Sequence, residues 1–489
     1  MSDAGRPPWR HYLLLVIAGA VVRAMLAGWT ALWDFSADQA AWGLGLEAMA
    51  ADGRLTYAGL MHYPHEGGSW LVGLVALLFH PLAELIPPLV WATLLLDALV
   101  RYAQIVLAHG LVGASVARWF AWWTVFAAPL MLPWSVVACG LHALLSFAPL
   151  LIVAMLHRPP VVQGLFVGLL AGLAYDVWAL FPVMLGALAI QRGTQRWSAM
   201  ALAAVGATIG FAPHLLMRLY LDDGFHLEGM GLLSIRGLEQ GGMDLRALPE
   251  RAAGVLLRDL PAAFTLLPVA STGARWLAFA GSLLIVVVLR ACWRRGYDAP
   301  ELRALVAMVV LFAVVLIIAP FQERPGTGAG PLHYRYHVFI LPLLMLLVFT
   351  AMGQARRWMA PVLIAGCAVL TVGYAIRRER SPLNYEAVGW VLARKHGHDV
   401  AHMTRLLQLV PTDKRSALVL GMGWGTAAAL FDRREPDQQG ADRLRALVAA
   451  MPPVWQQGYL HGVERAFAPG ITPVLDPRWR VLLPEARTP

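Results

Sequence analysis

Long apolar stretches separated by short, arginine-containing polar segments make up the first three quarters of the chain. A helix crosses the hydrocarbon core of a bilayer, about 30 Å thick, with roughly 20 apolar residues, and about twelve stretches approach that length. The pattern therefore predicts an all-α polytopic membrane protein with about 11–13 transmembrane helices. The candidate spans run at about 12–33, 70–86, 88–110, 117–133, 136–156, 161–177, 178–191, 198–217, 273–291, 301–320, 337–353 and 358–376.

Polar stretches divide the chain into two predicted domains. Residues 1–376 form the transmembrane domain, with outer loops at about 34–69, 218–272 and 321–336. Residues 377–489 are polar enough for a small, mainly helical soluble domain. Within it, Pro411–Gly421 and Pro452–Gly462 repeat the same spacing, which suits either a helical-repeat module or a chance coincidence of Pro and Gly.

Arginine positions predict the orientation, because Lys and Arg accumulate in cytoplasmic loops. Arg6 and Arg10 hold the N-terminus in the cytoplasm, which places the first loop outside. Further cytoplasmic anchors are Arg290, Arg294 and Arg295, and then Arg356 and Arg357. The loops at 34–69 and 218–272 both face outward, which requires an even number of crossings between them. Seven candidates lie there, so one is miscounted, and the side of the C-terminal domain stays open.

Composition excludes other classes of protein. Charged residues are 14% of the chain and apolar residues 58%, too little charge to coat a soluble protein of this length. The net charge of +9 is scattered between apolar runs and forms no nucleic-acid stripe. Three cysteines provide no disulfide framework. The motifs of zinc proteases, nucleotide-binding loops and nucleophile-elbow hydrolases do not occur.

Two acids follow the first span. Asp38 and, one turn earlier, Asp34 would lie at the membrane interface, where a carboxylate can act as a general base on a hydroxyl acceptor. Asp34 could instead orient the acceptor or help bind a metal. The alternative, which composition alone favours, is that Asp34 caps the next helix and Asp38 is a solvated acid of its first turn.

Two further clusters suit a sugar phosphate. His65 and Glu66 precede the second span beside two glycines, where they could hydrogen-bond a sugar or simply mark a loop-to-helix junction. Arg335 and Tyr336 lie at the outer end of a late span. The guanidinium suits the donor phosphate and the tyrosine a sugar face, although an interfacial aromatic belt with a snorkelling arginine has the same pattern.

Ionisable residues inside spans require partners. Asp97 and Arg101 are four residues apart on one helix, which favours a structural ion pair. Arg23 and Asp176 have no local partner, so each either lines a polar cavity or pairs across helices.

The order of these features resembles the GT-C superfamily of membrane glycosyltransferases, which includes protein mannosyltransferases and aminoarabinose transferases. The resemblance covers about residues 10–376 and rests on the acidic first loop and on three segments: YPHEGGSWLVGLVALLF, GLFVGLLAGLAYDVWALFPVMLGALA and HYRYHVFILPLLMLL. The sequence departs from the family where Gly67, Gly68 and Ser69 replace the expected Lys and paired Pro.

The resemblance implies that Asp38, or else Asp34, is the catalytic base and that Arg335 contacts the donor phosphate. His65 and Glu66 would occupy the second substrate-binding motif. The implied reaction transfers a hexose or pentose from a polyprenyl-phosphate donor to a lipid, glycan or protein acceptor, at the outer face of a bacterial inner membrane. Some members use a divalent cation, but no ligand spacing here indicates a metal.

Two other classes of function stay open. A transporter or lipid flippase would line its path with Arg23, Asp97, Arg101 and Asp176, although the two related halves common in transporters are not evident. A non-catalytic membrane scaffold would bind a partner through its C-terminal module and would not need Asp38.

Overall fold

A computed structural model of the chain describes most of its residues. They are 8–30, 37–56, 60, 69–82, 88–137, 142–174, 177, 180–221, 248–265, 272–296, 299–318, 335–352, 358–377, 385–397, 399–431, 435–468 and 475–483. These residues are almost entirely helical, and no β-strand occurs among them. The prediction of an all-α chain is confirmed to that extent.

The chain divides into two compact units. The first comprises residues 1–33, 65–75 and 82–380, and the second comprises residues 34–64, 76–81 and 381–489. The second unit thus joins the C-terminal segment to the stretch that follows the first helix. The prediction from sequence instead divided the chain at residue 377 and assigned the stretch after the first helix to the membrane domain.

The described part of the first unit consists of successive helices. In chain order, the helices up to residue 377 are α1 (Trp9–Thr30), α2 (Ala37–Asp52), α3 (Trp70–Phe79), α4 (Pro88–Val112), α5 (Ala114–Phe126), α6 (His142–Ala154), α7 (Pro160–Leu173), α8 (Phe181–Arg192), α9 (Arg196–Leu221), α10 (Thr272–Arg295), α11 (Pro300–Ile318), α12 (Leu341–Met352) and α13 (Met359–Arg377). Of these, α2 belongs to the second unit, and α3 begins in the first unit and ends in the second. Shorter helical elements lie at Met131–Trp134, Leu248–Gly254, Val255–Asp259, Leu260–Thr265 and Arg335–Phe339.

Five of these helices are long and apolar enough to cross a membrane. They are α1, α4, α9, α11 and α13, and each coincides with a predicted span. Three shorter apolar helical segments lie at Trp70–Leu82, Pro160–Leu173 and His337–Met352. Membrane character is therefore supported within the described ranges, whereas the total of about 11–13 spans stays a prediction.

The closest helix pair in the first unit is α7 with α9. A Cβ atom built on Gly168 would lie 2.0 Å from the carbonyl oxygen of Ala207, and one on Gly206 would lie 2.0 Å from that of Val161. Two backbones approach this closely where a glycine at the contact carries no side chain, as small residues allow at membrane helix interfaces. The outward side of α9 carries Leu202, Val205 and Ile209, all more than 45% exposed, as expected for a lipid-facing surface.

The second unit is a stack of short helices. It contains α2 and then α14 (Tyr385–His396), α15 (Val400–Leu409), α16 (Arg415–Phe431), α17 (Gln438–Ala450) and α18 (Pro453–Arg465), followed by a turn of helix at Trp479–Leu482. Gly421 of α16 abuts the backbone of Glu386 in α14, and Gly462 of α18 abuts that of Leu420 in α16. The two glycines of the sequence repeat therefore occupy successive close helix contacts, although a true repeat stays a prediction.

Helix α2 belongs to the core of this second unit. Ala41 and Ala48, two turns apart on one face, lie in the same buried cluster as Val388, Leu406 and Met422. Arg405 of α15 donates from Nη2 to the carbonyl oxygen of Ala48 at 3.1 Å and forms an ion pair with Asp52. His80 Nε2 lies 2.9 Å from Glu47 Oε2. Helix α2 is thus a packed element of the second unit.

Candidate functional site

Three of the predicted site residues lie outside the described residues, namely Asp34, His65 and Glu66. Asp176, which a transport path would have used, lies outside them as well. Their roles stay predictions.

Three other predicted site residues have a described backbone. Asp38 is the second residue of α2, so it lies in the first turn of a helix. Arg335 and Tyr336 begin the 3-10 helix Arg335–Phe339. The side chains of all three lie outside the described part of the chain, so their convergence on one cavity stays a prediction.

The described residues bring together a different set of charges, inside the first unit. Arg23 comes from α1, and Asp97 and Arg101 come from α4. The Nε atoms of Arg23 and Arg101 lie 3.3 Å and 2.7 Å from Asp97 Oδ2. All three side chains are at most 2% exposed. We call this set the Arg–Asp–Arg cluster.

The end of α5 completes the surroundings of Arg23. Its Nη1 donates to the carbonyl oxygen of Thr124 at 2.8 Å and to that of Val125 at 3.3 Å. These carbonyls belong to the last turn of α5, which ends at Phe126, so they have no partner within the helix and carry the negative end of its dipole. Gly19, one turn before Arg23, leaves room for the guanidinium, because a Cβ there would lie 3.1 Å from Nη1.

The Arg–Asp–Arg cluster has a surplus of positive charge. Two guanidinium groups share one carboxylate, and arginine does not lose its proton in proteins. Among the described residues, nothing accepts a hydrogen bond from Arg23 Nη2 or from Nη1 and Nη2 of Arg101. A buried charge without a counterion is costly in an apolar interior, so the surplus charge and the free donors call for an anion.

The cluster extends into a polar face along α4. Thr93, Asp97, Arg101 and Gln104 follow one another at spacings of four, four and three residues, and all are buried. Gln104 Nε2 donates to Ser146 Oγ of α6 at 2.8 Å, while its Oε1 is unpaired within the described ranges. Leu99, on another face of α4, is 57% exposed. The helix therefore turns its polar face inward, the arrangement expected of a membrane helix that lines a functional interior.

This arrangement suits an anion rather than a cation. Guanidinium groups supply planar sets of donors that match phosphate or carboxylate oxygens. No group of three or more potential metal ligands occurs in the described segments. A phosphate held here would neutralise the surplus charge and accept hydrogen bonds from the unpaired donors.

Sequence reasoning found only part of this cluster. The Asp97–Arg101 ion pair was predicted from its spacing and is confirmed. For Arg23 the sequence allows either a polar cavity or a partner on another helix, and the structure gives it such a partner, Asp97. The sequence did contain a signal for this pairing. An unpaired arginine inside a span is costly, and Asp97 is one of the few acids at a comparable depth.

No family model, curated protein or solved structure matches this chain. The GT-C resemblance therefore rests on the sequence features alone.

Proposed function

We propose that this chain is a GT-C-type membrane glycosyltransferase. It transfers a sugar from a polyprenyl-phosphate donor to an acceptor at the outer face of a bacterial inner membrane. The observation that carries the proposal is the surplus positive charge of the buried Arg–Asp–Arg cluster, with three guanidinium nitrogens unpaired among the described residues. A lipid-linked phosphate is an anion that can reach a cluster on the membrane-spanning helices α1 and α4, because its hydrocarbon tail partitions into the bilayer.

The proposed reaction is a single displacement at the anomeric carbon of the sugar. The acceptor hydroxyl attacks C1 while Asp38 takes its proton, and the bond between C1 and the phosphate oxygen breaks. Polyprenyl phosphate leaves with the bonding electrons. We propose the Arg–Asp–Arg cluster of the first unit as a binding site for the phosphate of this product. Arg335, which the resemblance implies as a contact of the donor phosphate, would counter the negative charge that develops on that phosphate.

Transfer from labelled donor tests the proposal. Membranes from cells that express the protein, and so contain its natural acceptor, are supplied with a panel of polyprenyl-phosphate hexoses and pentoses. We expect release of polyprenyl phosphate from one donor by the wild type, and a rate about 10²–10⁴-fold lower for Asp38→Asn, because the amide cannot accept the proton.

The control variant is Asp413→Asn. Asp413 is an exposed acid of the second unit that pairs with its neighbour Lys414, so the same chemical change there should leave transfer intact. If Asp38→Asn retains wild-type activity at equal expression, Asp38 is not the base. If no donor in the panel is consumed, transfer from these donors is ruled out.

A lipid flippase is the second candidate function, because Arg23, Asp97 and Arg101 do converge. Such a protein would move a polyprenyl-phosphate lipid between leaflets without breaking the bond to the sugar. Purified protein in vesicles, supplied with a membrane extract of the expressing cells as the source of acceptor, distinguishes the two functions. A flippase exposes labelled lipid to the opposite side with the sugar still attached, whereas a transferase leaves the lipid in place and releases polyprenyl phosphate.

A further inference from the structure

We infer that Arg405 is a positioning residue for the proposed catalytic helix, and that the C-terminal helices lie on the same side of the membrane as that helix. This inference rests on the proposed function for its catalytic part, while its topological part stands on the fold and on the predicted orientation and spans of the sequence. The observation behind it is that α2, which carries Asp38, packs as a core helix of the second unit.

Arg405 contacts the last turn of α2 at two points. It donates to the Ala48 carbonyl oxygen at 3.1 Å and pairs with the Asp52 carboxylate. A cation at the C-terminal end of a helix is also favoured by the helix dipole. Because these contacts join α15 to α2, Arg405 fixes α2 along its axis as well as against its neighbour.

The remaining contacts of α2 hold its other sides. Ala41 and Ala48 pack in the core of the second unit, and Glu47 pairs with His80 at 2.9 Å. A helix held in this way moves as one body with α14 and α15. A shift at Asp52 is therefore transmitted to Asp38, fourteen residues earlier and about 21 Å away along the helix axis.

The division into units also resolves the parity of the predicted spans. Residues 34–64 and 76–81 both belong to the second unit. The chain between them, residues 65–75, contains only the first six residues of α3, and all ten residues of α3 extend about 15 Å, half of what a membrane span needs. This stretch therefore makes no net crossing. Removing it from the seven candidates between the outer loops leaves the required even number.

The corrected count places the C-terminal segment outside. With the N-terminus in the cytoplasm and about eleven crossings, the chain beyond α13 emerges on the outer side. The compact second unit requires the same result, because it joins residues 381–489 to residues 34–64, which follow α1. The anchors Arg356 and Arg357 agree with it, whereas the sequence positions of Arg377, Arg378 and Arg380 favour the opposite side.

Cysteine labelling tests the topology without reference to activity. Leu55 and Val454, in separate segments of the second unit, are 49% and 75% exposed. In a background with Cys139, Cys292 and Cys367 changed to Ala, we expect a membrane-impermeant maleimide to label both Leu55→Cys and Val454→Cys from the outside of intact cells. Labelling from opposite sides would overturn the inference, and so would labelling of both only after the cells are opened.

Transfer kinetics and hydrogen exchange test the role of Arg405. We expect Arg405→Ala to lower kcat by about 10- to 100-fold, because small displacements of a catalytic group have effects of that size. The KM for the donor should stay unchanged, because Arg405 contacts Ala48 and Asp52 of α2 and not the Arg–Asp–Arg cluster. The protection of α2 amides from hydrogen exchange should also fall. Arg405→Lys should restore part of kcat and part of this protection.

The matched control is Arg445→Ala. Arg445 is as exposed as Arg405, at 38%, and it too contacts one carboxylate, that of Asp442, and one carbonyl, that of Leu482. It should leave α2 protection and kcat unchanged. If Arg405→Ala leaves exchange in α2 at the wild-type level, Arg405 does not position the helix. If exchange rises but no variant transfers sugar, the proposed function fails and the docking of α2 stands.

Discussion

Because the Arg–Asp–Arg cluster has two positive charges and one negative charge, we expect substitutions of its acid and of its arginine to have opposite effects on stability. Replacing Asp97 by Asn leaves two buried guanidinium groups without a counterion. Replacing Arg101 by Met leaves one guanidinium, Arg23, beside one carboxylate at 3.3 Å, which is a balanced pair. If the surplus charge serves to bind a ligand, Arg101→Met should lose sugar transfer and keep the stability of the fold.

The expected magnitudes follow from the burial of all three side chains, at most 2% exposed. Removing one partner of a buried ion pair destabilises proteins by about 3–5 kcal/mol. We therefore expect Asp97→Asn to lower the free energy of unfolding by that amount, about 150- to 5000-fold in the folding equilibrium. Arg101→Met removes an uncompensated charge and adds an apolar side chain of similar length. It should lie within about 1 kcal/mol of the wild type or be more stable.

Unfolding in mixed micelles, followed by tryptophan fluorescence, measures both variants against the wild type and Asp413→Asn. Sugar transfer is measured on the same preparations. We expect Arg101→Met to be stable and inactive and Asp97→Asn to be unstable. If Arg101→Met is destabilised as much as Asp97→Asn, the cluster has no surplus charge to offer a ligand, because Arg101 is then part of a structural network.

Two predictions concern packing and protonation. Gly168→Ala should separate α7 from α9 and lower the free energy of unfolding by about 1–3 kcal/mol, because the new Cβ would lie 2.0 Å from the Ala207 carbonyl oxygen. The control Gly281→Ala, whose Cβ would have nothing within 4 Å, should leave stability unchanged. Equal melting temperatures of the two variants would contradict this expectation. Burial raises the pKa of Tyr459 to about 12, against a smaller opposing effect of the hydrogen bond to Thr426. Its protonated form therefore stabilises the second unit below pH of about 10, and that stability is lost as pH rises toward about 12. Tyr459→Phe should abolish this loss in pH-dependent unfolding, and an unchanged pH profile would refute it.

The membrane helices were the most predictable part of the fold. The boundaries of α1, α4 and α13 lie within a few residues of the predicted spans, because the length of an apolar stretch is set by the bilayer itself. The α7–α9 contact was harder to predict from the sequence. The glycines were visible in the sequence, but their opposite surface, Ala203 and Ala207, is determined by which helix packs there.

The assignment of α2 to the second unit could not be predicted from local pattern. Its sequence, ADQAAWGLGLEAMAAD, marks a helix of mixed polarity after a span. Its partners in α14 and α15 lie more than 300 residues later. The Arg405 contact with Ala48 joins residues 357 positions apart. Hydrophobic periodicity reports on local structure and on one buried face, but it does not say what covers that face.

The cluster shows the same limit from another direction. The Asp97–Arg101 pair was predictable because both residues lie on one helix. The third charge arrives from α1, seventy-four residues earlier in the chain, and only the tertiary structure reveals that Arg23 and Arg101 share one carboxylate. The surplus charge, and with it the case for an anionic ligand, is a property of the folded unit.

Binding of the lipid product tests the central claim most directly. Purified wild type and Arg101→Met are titrated with polyprenyl phosphate and, separately, with the uncharged polyprenol, and the melting temperature is followed. The account predicts that the phosphate stabilises the wild type in a saturable manner, that polyprenol does not, and that Arg101→Met loses the difference. Equal responses to the two lipids, or an undiminished response of Arg101→Met, would contradict it.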